Sequence, residues 1–147
     1  METICNDLVF GKMSYRHRWY KKQEIFMFGV KWNVTVVAKA FSGKEINEAQ
    51  RNAYRKFLNE EKEIVETLEQ EIKKYINNNL DDICLYCKSA SKLQSIAEIK
   101  EIVIPKTLLF DKDGIPVFVF DFLWDKENGI AAKLEPTIEI GRQELFL

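Results

Sequence analysis

Histidine is nearly absent from this chain of 147 residues, with His17 the single copy, and cysteine occurs three times, at Cys5, Cys84 and Cys87. One imidazole means that any Ser/His or Cys/His nucleophilic mechanism must use His17 as its base. No Gly-x-Ser-x-Gly nucleophile elbow accompanies it, and the six glycines form no phosphate-cradling loop. The residues therefore point away from an enzyme and assign no catalytic side chain. Long apolar runs are also missing, so nothing in the sequence spans a membrane. The opening segment "METICNDLVFGK" lacks a basic region followed by a long apolar one, which gives the expectation of a cytoplasmic protein. Net charge is −1, so there is no global pull toward nucleic acid.

What is present is ordinary globular composition, 46% hydrophobic and 31% charged. A chain of this length is expected to form one domain over residues 1–147 and to bury roughly two thirds of its unfolded surface. Charge is unevenly placed along it. Lys and Arg outnumber Asp and Glu 7 to 3 in residues 1–43, stand at 7 to 8 in residues 44–78, and are outnumbered 8 to 12 in residues 79–147. Such a basic-to-acidic gradient either steers a partner or is self-complementary within the fold.

Strand chemistry fills the first forty residues. "DLVF", "SYRHRWYKK", "EIFMFG" and "KWNVTVVAKAF" are rich in aromatic and β-branched residues. In the last of these Trp32, Val34, Val36 and Ala38 share one face, the pattern of a half-buried antiparallel strand. From Glu45 to about Asn78 the period changes. Ile46, Ala49, Ala53, Phe57, Ile64, Leu68, Ile72, Tyr75 and Ile76 recur at three- and four-residue spacing, one stripe of a helix. A single rod of that length would reach roughly 50 Å, too long for a compact domain of this size. The stripe skips a step after Phe57, and Asn59 is placed to cap a following helix, so a kinked helix or a helix pair is expected.

"INNNLDD" ends that segment, and a short helix is expected at 89–98. Strand-like runs then return: "EIVIP", "KTLLF", "IPVFVFDFLW", "IAAKL", "TIEIG" and "ELFL". Asp113-Gly114 and Asn128-Gly129 separate them and suit the positive φ of hairpin turns. The expected fold is α+β: an antiparallel sheet of N-terminal strands and a C-terminal meander, packed against the long helical segment.

Several groups carry candidate chemistry. Cys84-Leu85-Tyr86-Cys87 has zinc or redox spacing, but a zinc site would need Cys5 and His17 to complete it. Packing of partly buried thiols is the simpler reading, and no metal or cofactor is assigned. Asp111-Lys112-Asp113-Gly114 begins like a calcium loop but has Phe122 at the twelfth position, where an acid belongs. "SYRHRWYKK" mixes cations and aromatics as RNA-binding surfaces do. Read as a strand, it sets Tyr15, His17, Trp19 and Lys21 against Arg16, Arg18, Tyr20 and Lys22, so that a nucleic-acid surface would use Arg16, Arg18, Trp19, Lys21 and Lys22. A solvated strand face or a protein interface explains it better, since Trp, Tyr and Arg anchor protein contacts. In "FDFLWDKENG" Phe120, Phe122 and Trp124 alternate toward one side, and Asp125 and Glu127 flank a turn. Arg16, Arg18, Trp19, Trp124, Asp125 and Glu127 are thus the candidate partner-binding residues.

The segments "IFMFGVKWNVTVVAKAF", "EINEAQRNAYRKFLNEEKEIVETLEQEIKKYI", "FDFLWDKENGIAAKLEP" and "IEIGRQELFL", in this order, resemble a bacterial family of uncharacterised small proteins. That family is a domain of unknown function seen among proposed immunity proteins of polymorphic toxin systems. The most specific piece is the aromatic-acidic turn with its Glu-x-Gly, followed by the "IGRQE" end. Asn128 stands where the family pattern suggests histidine, which argues against catalysis or metal binding there. The resemblance implies a non-enzymatic binding protein that neutralises a protein toxin, with a charged, shape-specific surface. A zinc-stabilised or nucleic-acid-binding module is the alternative, and edge-strand pairing leaves a homodimer open.

Overall fold

The computed structural model describes residues 3–40 and 44–147. Its frame is one eight-stranded sheet in which strand order follows chain order. The strands are β1 (Thr3–Asp7), β2 (Gly11–Tyr15), β3 (Trp19–Met27), β4 (Val30–Ala38), β5 (Val103–Phe110), β6 (Pro116–Phe122), β7 (Ile130–Lys133) and β8 (Glu139–Gly141). Between β4 and β5 the chain forms α1 (Glu48–Asn59), α2 (Glu61–Asn78), α3 (Leu80–Ile83) and a 3-10 turn at Ile96–Glu101. The α+β expectation holds, with one refinement. Every neighbouring pair is antiparallel except β4 and β5, which run parallel with Val36 opposite Leu108. Parallel neighbours need a crossover, and the helical segment supplies it.

The alternation expected in β4 is present in its first half, with Lys31 and Asn33 exposed, Trp32 half-buried and Val34 buried; beyond it Val36 and Ala38 are buried as expected, but Val37 on the opposite face is buried too. The helix pair is also present, and its start and junction have identifiable causes. Asn47 caps α1 through a reciprocal box, its Oδ1 accepting from the Gln50 amide at 2.9 Å and the Gln50 side chain accepting from the Asn47 amide at 3.0 Å. α1 therefore starts at Glu48, three residues after the first residue of the predicted segment. The break falls at Glu60, whose φ of −114° and ψ of 17° are non-helical and which makes no side-chain cap, so Asn59 ends α1 and caps nothing. In α2 the stripe Leu68, Ile72 and Ile76 is fully buried, each side chain contributing about 1.5–3 kcal/mol by leaving water. In α1 the buried stripe is Gln50, Tyr54 and Phe57, not Ala49 and Ala53.

Gln50, a polar residue outside the predicted apolar stripe, is wholly buried. Its Nε2 donates to the Lys39 carbonyl at 2.7 Å and the Phe110 carbonyl at 3.3 Å, tying together the ends of the two parallel strands. Above it Phe10 stacks on Tyr54 at 4.4 Å between ring centres, and Phe110 meets both edge-on.

Other local expectations fail for physical reasons. "DLVF" is a turn, because the Asp7 carboxylate accepts from the Val9 and Phe10 amides and leaves Leu8 fully in solvent. "SYRHRWYKK" is two strands joined by a turn at Arg16–Arg18, with His17 at φ 67°, so its cations do not alternate across one strand. No helix forms at 90–95, where Leu93 instead pairs its amide and carbonyl with the Asn77 side chain at 2.8 and 3.1 Å. "EIVIP" and "KTLLF" are one strand, β5, with a bulge between Pro105 and Thr107. "ELFL" is not a strand: its first two residues finish a 3-10 turn, Gln143–Leu145. The two Asx-Gly pairs do sit in hairpin connections, but in loops of 111–115 and 123–129 rather than two-residue turns.

Candidate functional site

The six residues expected to meet a partner fall at opposite ends of the sheet. Trp19 pairs with Ala38, Ala38 with Phe110 and Phe110 with Pro116, so the Arg16–Arg18 turn lies where β4 and β5 finish. Phe122 pairs with Val103, so loop 123–129 lies where β5 begins. At about 3.3 Å per residue, an eight-residue strand separates the two ends by roughly 25 Å.

At the first end Arg16 and Arg18 are exposed. Trp19 is not presented there: it is 8% exposed, and its indole N–H donates to the Lys44 carbonyl at 3.2 Å. Lys21 also turns inward, its ammonium donating to the Phe10 carbonyl at 2.5 Å over the Tyr54 ring. Burial lowers its pKa below the usual lysine value, with Asp7 opposing. Two of the five residues of the nucleic-acid reading are therefore spent on packing.

At the second end a cleft of about 320 Å³ opens between the last turns of α2 and α3 on one side and β6, β8 and loop 123–129 on the other. Tyr75, Asn79, Asp82, Ile83 and Tyr86 line one wall, and Phe122, Asp125, Gly129, Ile140, Gly141, Arg142 and Leu145 the other. The strip of sequence most specific to the resemblance builds the second wall, and the geometry explains its spelling. Asp125 is buried and its two carboxylate oxygens accept from the Asn128 side chain at 3.1 and 2.9 Å, while the Gly129 amide donates to the Asp125 carbonyl at 3.0 Å. Gly129 has φ +62°, and a Cβ there would sit 2.2 Å from Gln143 Nε2. That nitrogen donates to the Phe120 carbonyl at 2.8 Å, and the Gln143 amide donates to the Asn128 carbonyl at 3.1 Å. The glycine of the turn and the glutamine of "IGRQE" are thus one interlocked unit. Trp124 is half-buried with its ring centre 6.1 Å from that of Phe122, and Glu127 is exposed on the turn.

Arg142, which the sequence reading passed over as part of a motif, projects from this unit. Its guanidinium lies 5.8 Å from the centre of the Tyr86 ring and makes no hydrogen bond or ion pair with any described residue. Tyr75, read as part of the buried stripe, is half-buried with a hydroxyl that bonds to nothing described. No buried side-chain nitrogen or oxygen is left unpaired among the described residues, so that hydroxyl reaches the cleft. Burial pushes the Tyr75 phenol above its usual pKa, Asp125 and Asp82 add to the shift, and Arg142 opposes it. Tyr86 and Leu145 (68% exposed) line the cleft, and Leu85 (80%), Leu123 and Leu147, on the segments that supply its walls, are exposed as well. Only four other large hydrophobic residues are exposed among the described residues, so this end holds the majority.

The cysteines lead elsewhere. Cys84 Sγ contacts the Ala90 carbonyl at 3.6 Å, Cys87 Sγ contacts Ser89 Oγ at 3.3 Å, and Cys5 is on the edge strand β1. Among the described residues no group of three or more His, Cys, Asp and Glu side chains is close enough to hold a metal ion, so the Cys3His set is not assembled. In the calcium-like loop Asp111 Oδ1 accepts from its own Asp113 and Ile115 amides, the signature of a turn. No described helix is long and apolar enough to cross a membrane.

A family model described as a domain of unknown function, DUF6985, matches residues 9–147. No curated protein and no solved structure matches the chain.

Proposed function

Since the chain belongs to the DUF6985 family, whose description assigns no activity, its function has to be read from its surfaces, and we propose that it is a non-enzymatic binding protein. It presents the end of the sheet that carries the Arg142 cleft to a protein partner. The observation that supports this reading is the coincidence, at one end, of an arginine with no hydrogen bond to a described residue, lying over the Tyr86 ring, with exposed leucines on the segments that form the cleft. Arginine and tyrosine dominate binding energy in protein interfaces, and exposed apolar side chains around them exclude water from such anchors. The resemblance to bacterial immunity proteins makes the partner a toxin of the same genome, which binding would block without any catalytic step. Of the six residues singled out from sequence, Trp124, Asp125 and Glu127 belong to this end. Asp125 shapes it, and Glu127 and the rim of Trp124 face the partner.

Capture from native lysate tests the reading when the wild-type chain is compared with Tyr86→Ala/Leu145→Asp, two changes at exposed positions. The wild type should retain a stoichiometric protein that the double variant loses. That protein, expressed alone, should arrest growth, and co-expression of the wild type should relieve the arrest. Equal retention by both proteins, or a partner without toxicity, overturns the location or the toxin assignment respectively.

A further inference from the structure

The free groups in the cleft differ in what they offer a ligand. Arg142 brings a planar fork of N–H donors with no partner among the described residues. Tyr75 adds a hydroxyl that can donate. Asp125 keeps its charge, but both its oxygens accept from the Asn128 side chain, and no ion pair joins it to Arg142. Asp82 is exposed, where water and salt screen it. The lining counts two carboxylates to one guanidinium, but the polar groups of this cleft that lack a hydrogen-bond partner among the described residues and are half-buried are the donors of Arg142 and Tyr75.

We infer that the cleft is a receptor for a carboxylate, held by the Arg142 fork with Tyr75 as a second donor. The inference rests on the reading above for the carboxylate's belonging to a protein partner, as an Asp or Glu side chain or a chain terminus. Arginine suits this task because its two parallel N–H bonds match the two oxygens of a carboxylate, which a lysine cannot reproduce. The Tyr86 ring, its centre 5.8 Å from the guanidinium, borders the fork on one side and leaves its N–H donors open to a ligand. The phenol supports the same role: burial keeps Tyr75 protonated, so it serves as a donor throughout the neutral range.

The probes are small and the protein is the full chain. Isotopically labelled protein is titrated with acetate, with N-acetylglutamate amide as a side-chain mimic, with N-acetylalanine as a chain-terminus mimic, and with methylammonium as the opposite charge. The carboxylates should produce saturable shifts of the Arg142 side-chain N–H and of the Tyr75 and Tyr86 rings. The tighter of the two blocked compounds identifies the source. Arg142→Gln should weaken this binding by about tenfold or more, and Arg142→Lys should restore only part, since a point charge replaces a bidentate one. Absence of saturable shifts with any carboxylate, saturable binding of methylammonium at the same resonances, or undiminished binding by a folded Arg142→Gln protein overturns the inference. If a captured partner is lost from Tyr86→Ala/Leu145→Asp yet fully kept by Arg142→Gln, the binding function stands and the carboxylate receptor does not.

Discussion

Toward the first end of the sheet Tyr54 and Lys21 meet Phe10 and Gln23. At its other end Tyr75 and Tyr86 meet Arg142 and Asp82. The residue types are alike, and their bonding differs. Inside, the Tyr54 hydroxyl bonds to Gln23, Lys21 donates to the Phe10 carbonyl, and next to them Arg51 pairs with Asp7 at 2.7 Å and Glu48 at 2.8 Å. At the other end the arginine, the Tyr75 phenol and Asp82 have no such partners among the described residues. A buried polar group without a partner costs stability, so interior networks close on themselves. Donors left open in a concave surface contribute little to folding and stay available to a ligand. Distinguishing a structural cluster from a binding one therefore depends on where the bonds end, not on which residues are present.

The sharpest way to break the contrast is to disturb the frame that holds the open groups. Gly129→Ala places a methyl group at a left-handed φ and into the Gln143 side chain. Strain at that conformation and loss of the Gln143 bond to Phe120 together should cost about 3 kcal/mol, measured as the shift in the urea midpoint. Because the same unit carries Arg142, carboxylate binding should fall with it. A loss well under 1 kcal/mol would mean that the cleft wall is a loose loop.

The closed cluster should reveal itself through pH. Burial pushes the Tyr54 phenol up to about 12 from an ordinary value of 10, and Glu61 adds to the shift. The unfolded chain thus loses this proton first as pH rises. The stability the neutral phenol contributes is complete below pH 10 and drains away up to about pH 12, by roughly 2 kcal/mol. Lys21, whose pKa is lowered, acts with the opposite sign: its buried charge is relieved as pH rises toward 10.5, which adds stability. Tyr54→Phe should flatten the loss above pH 10 and leave the Lys21 gain. Chemical denaturation between pH 8 and 11.5 measures both, and an unchanged slope in the variant would remove Tyr54 as the cause.

How far the sequence conveyed these two clusters follows from the range of the forces involved. The helix pair was legible because Leu68, Ile72 and Ile76 repeat at helical spacing and the repeat slips near Asn59, both local signals. The strand of Trp32 to Ala38 was legible through alternation. The Arg16–Arg18 turn was not, since a run of cations and aromatics satisfies strand preference, and only the pairing of Tyr15 with Trp19 makes it a turn. The burial of Gln50 left no local signal, because its carbonyl partners lie at the ends of two strands, one of them sixty residues away. The cleft was half legible. "FDFLWDKENG" and "IGRQE" were recognisable as a motif, and Asn128-Gly129 as a turn. That Gln143 is the residue Gly129 makes room for, leaving Arg142 as the one pointed outward, is a tertiary fact that no local pattern carries. The parallel β4–β5 pair is of the same kind, fixed by a crossover of more than sixty residues.

The smallest expected effect is also the most discriminating, because it sets two arginines against each other. Arg51→Ala removes the partner of Asp7, whose side chain is 3% exposed. Burial alone would raise the Asp7 pKa, but the Phe10 and Val9 amides and Arg51 together hold it below the usual carboxylate value. Losing Arg51 should therefore cost about 1–2 kcal/mol, and that cost should shrink in acid as the carboxyl group becomes protonated. Arg142→Ala deletes a side chain with no hydrogen bond to give up, only its stacking on Tyr86, and should move stability by about 0.5 kcal/mol or less. Urea denaturation of both variants at pH 7 and pH 3.5 measures the four values. Equal losses at pH 7 would show that Arg142 is held by the fold as firmly as Arg51, and the cleft would then be another closed cluster rather than a receptor.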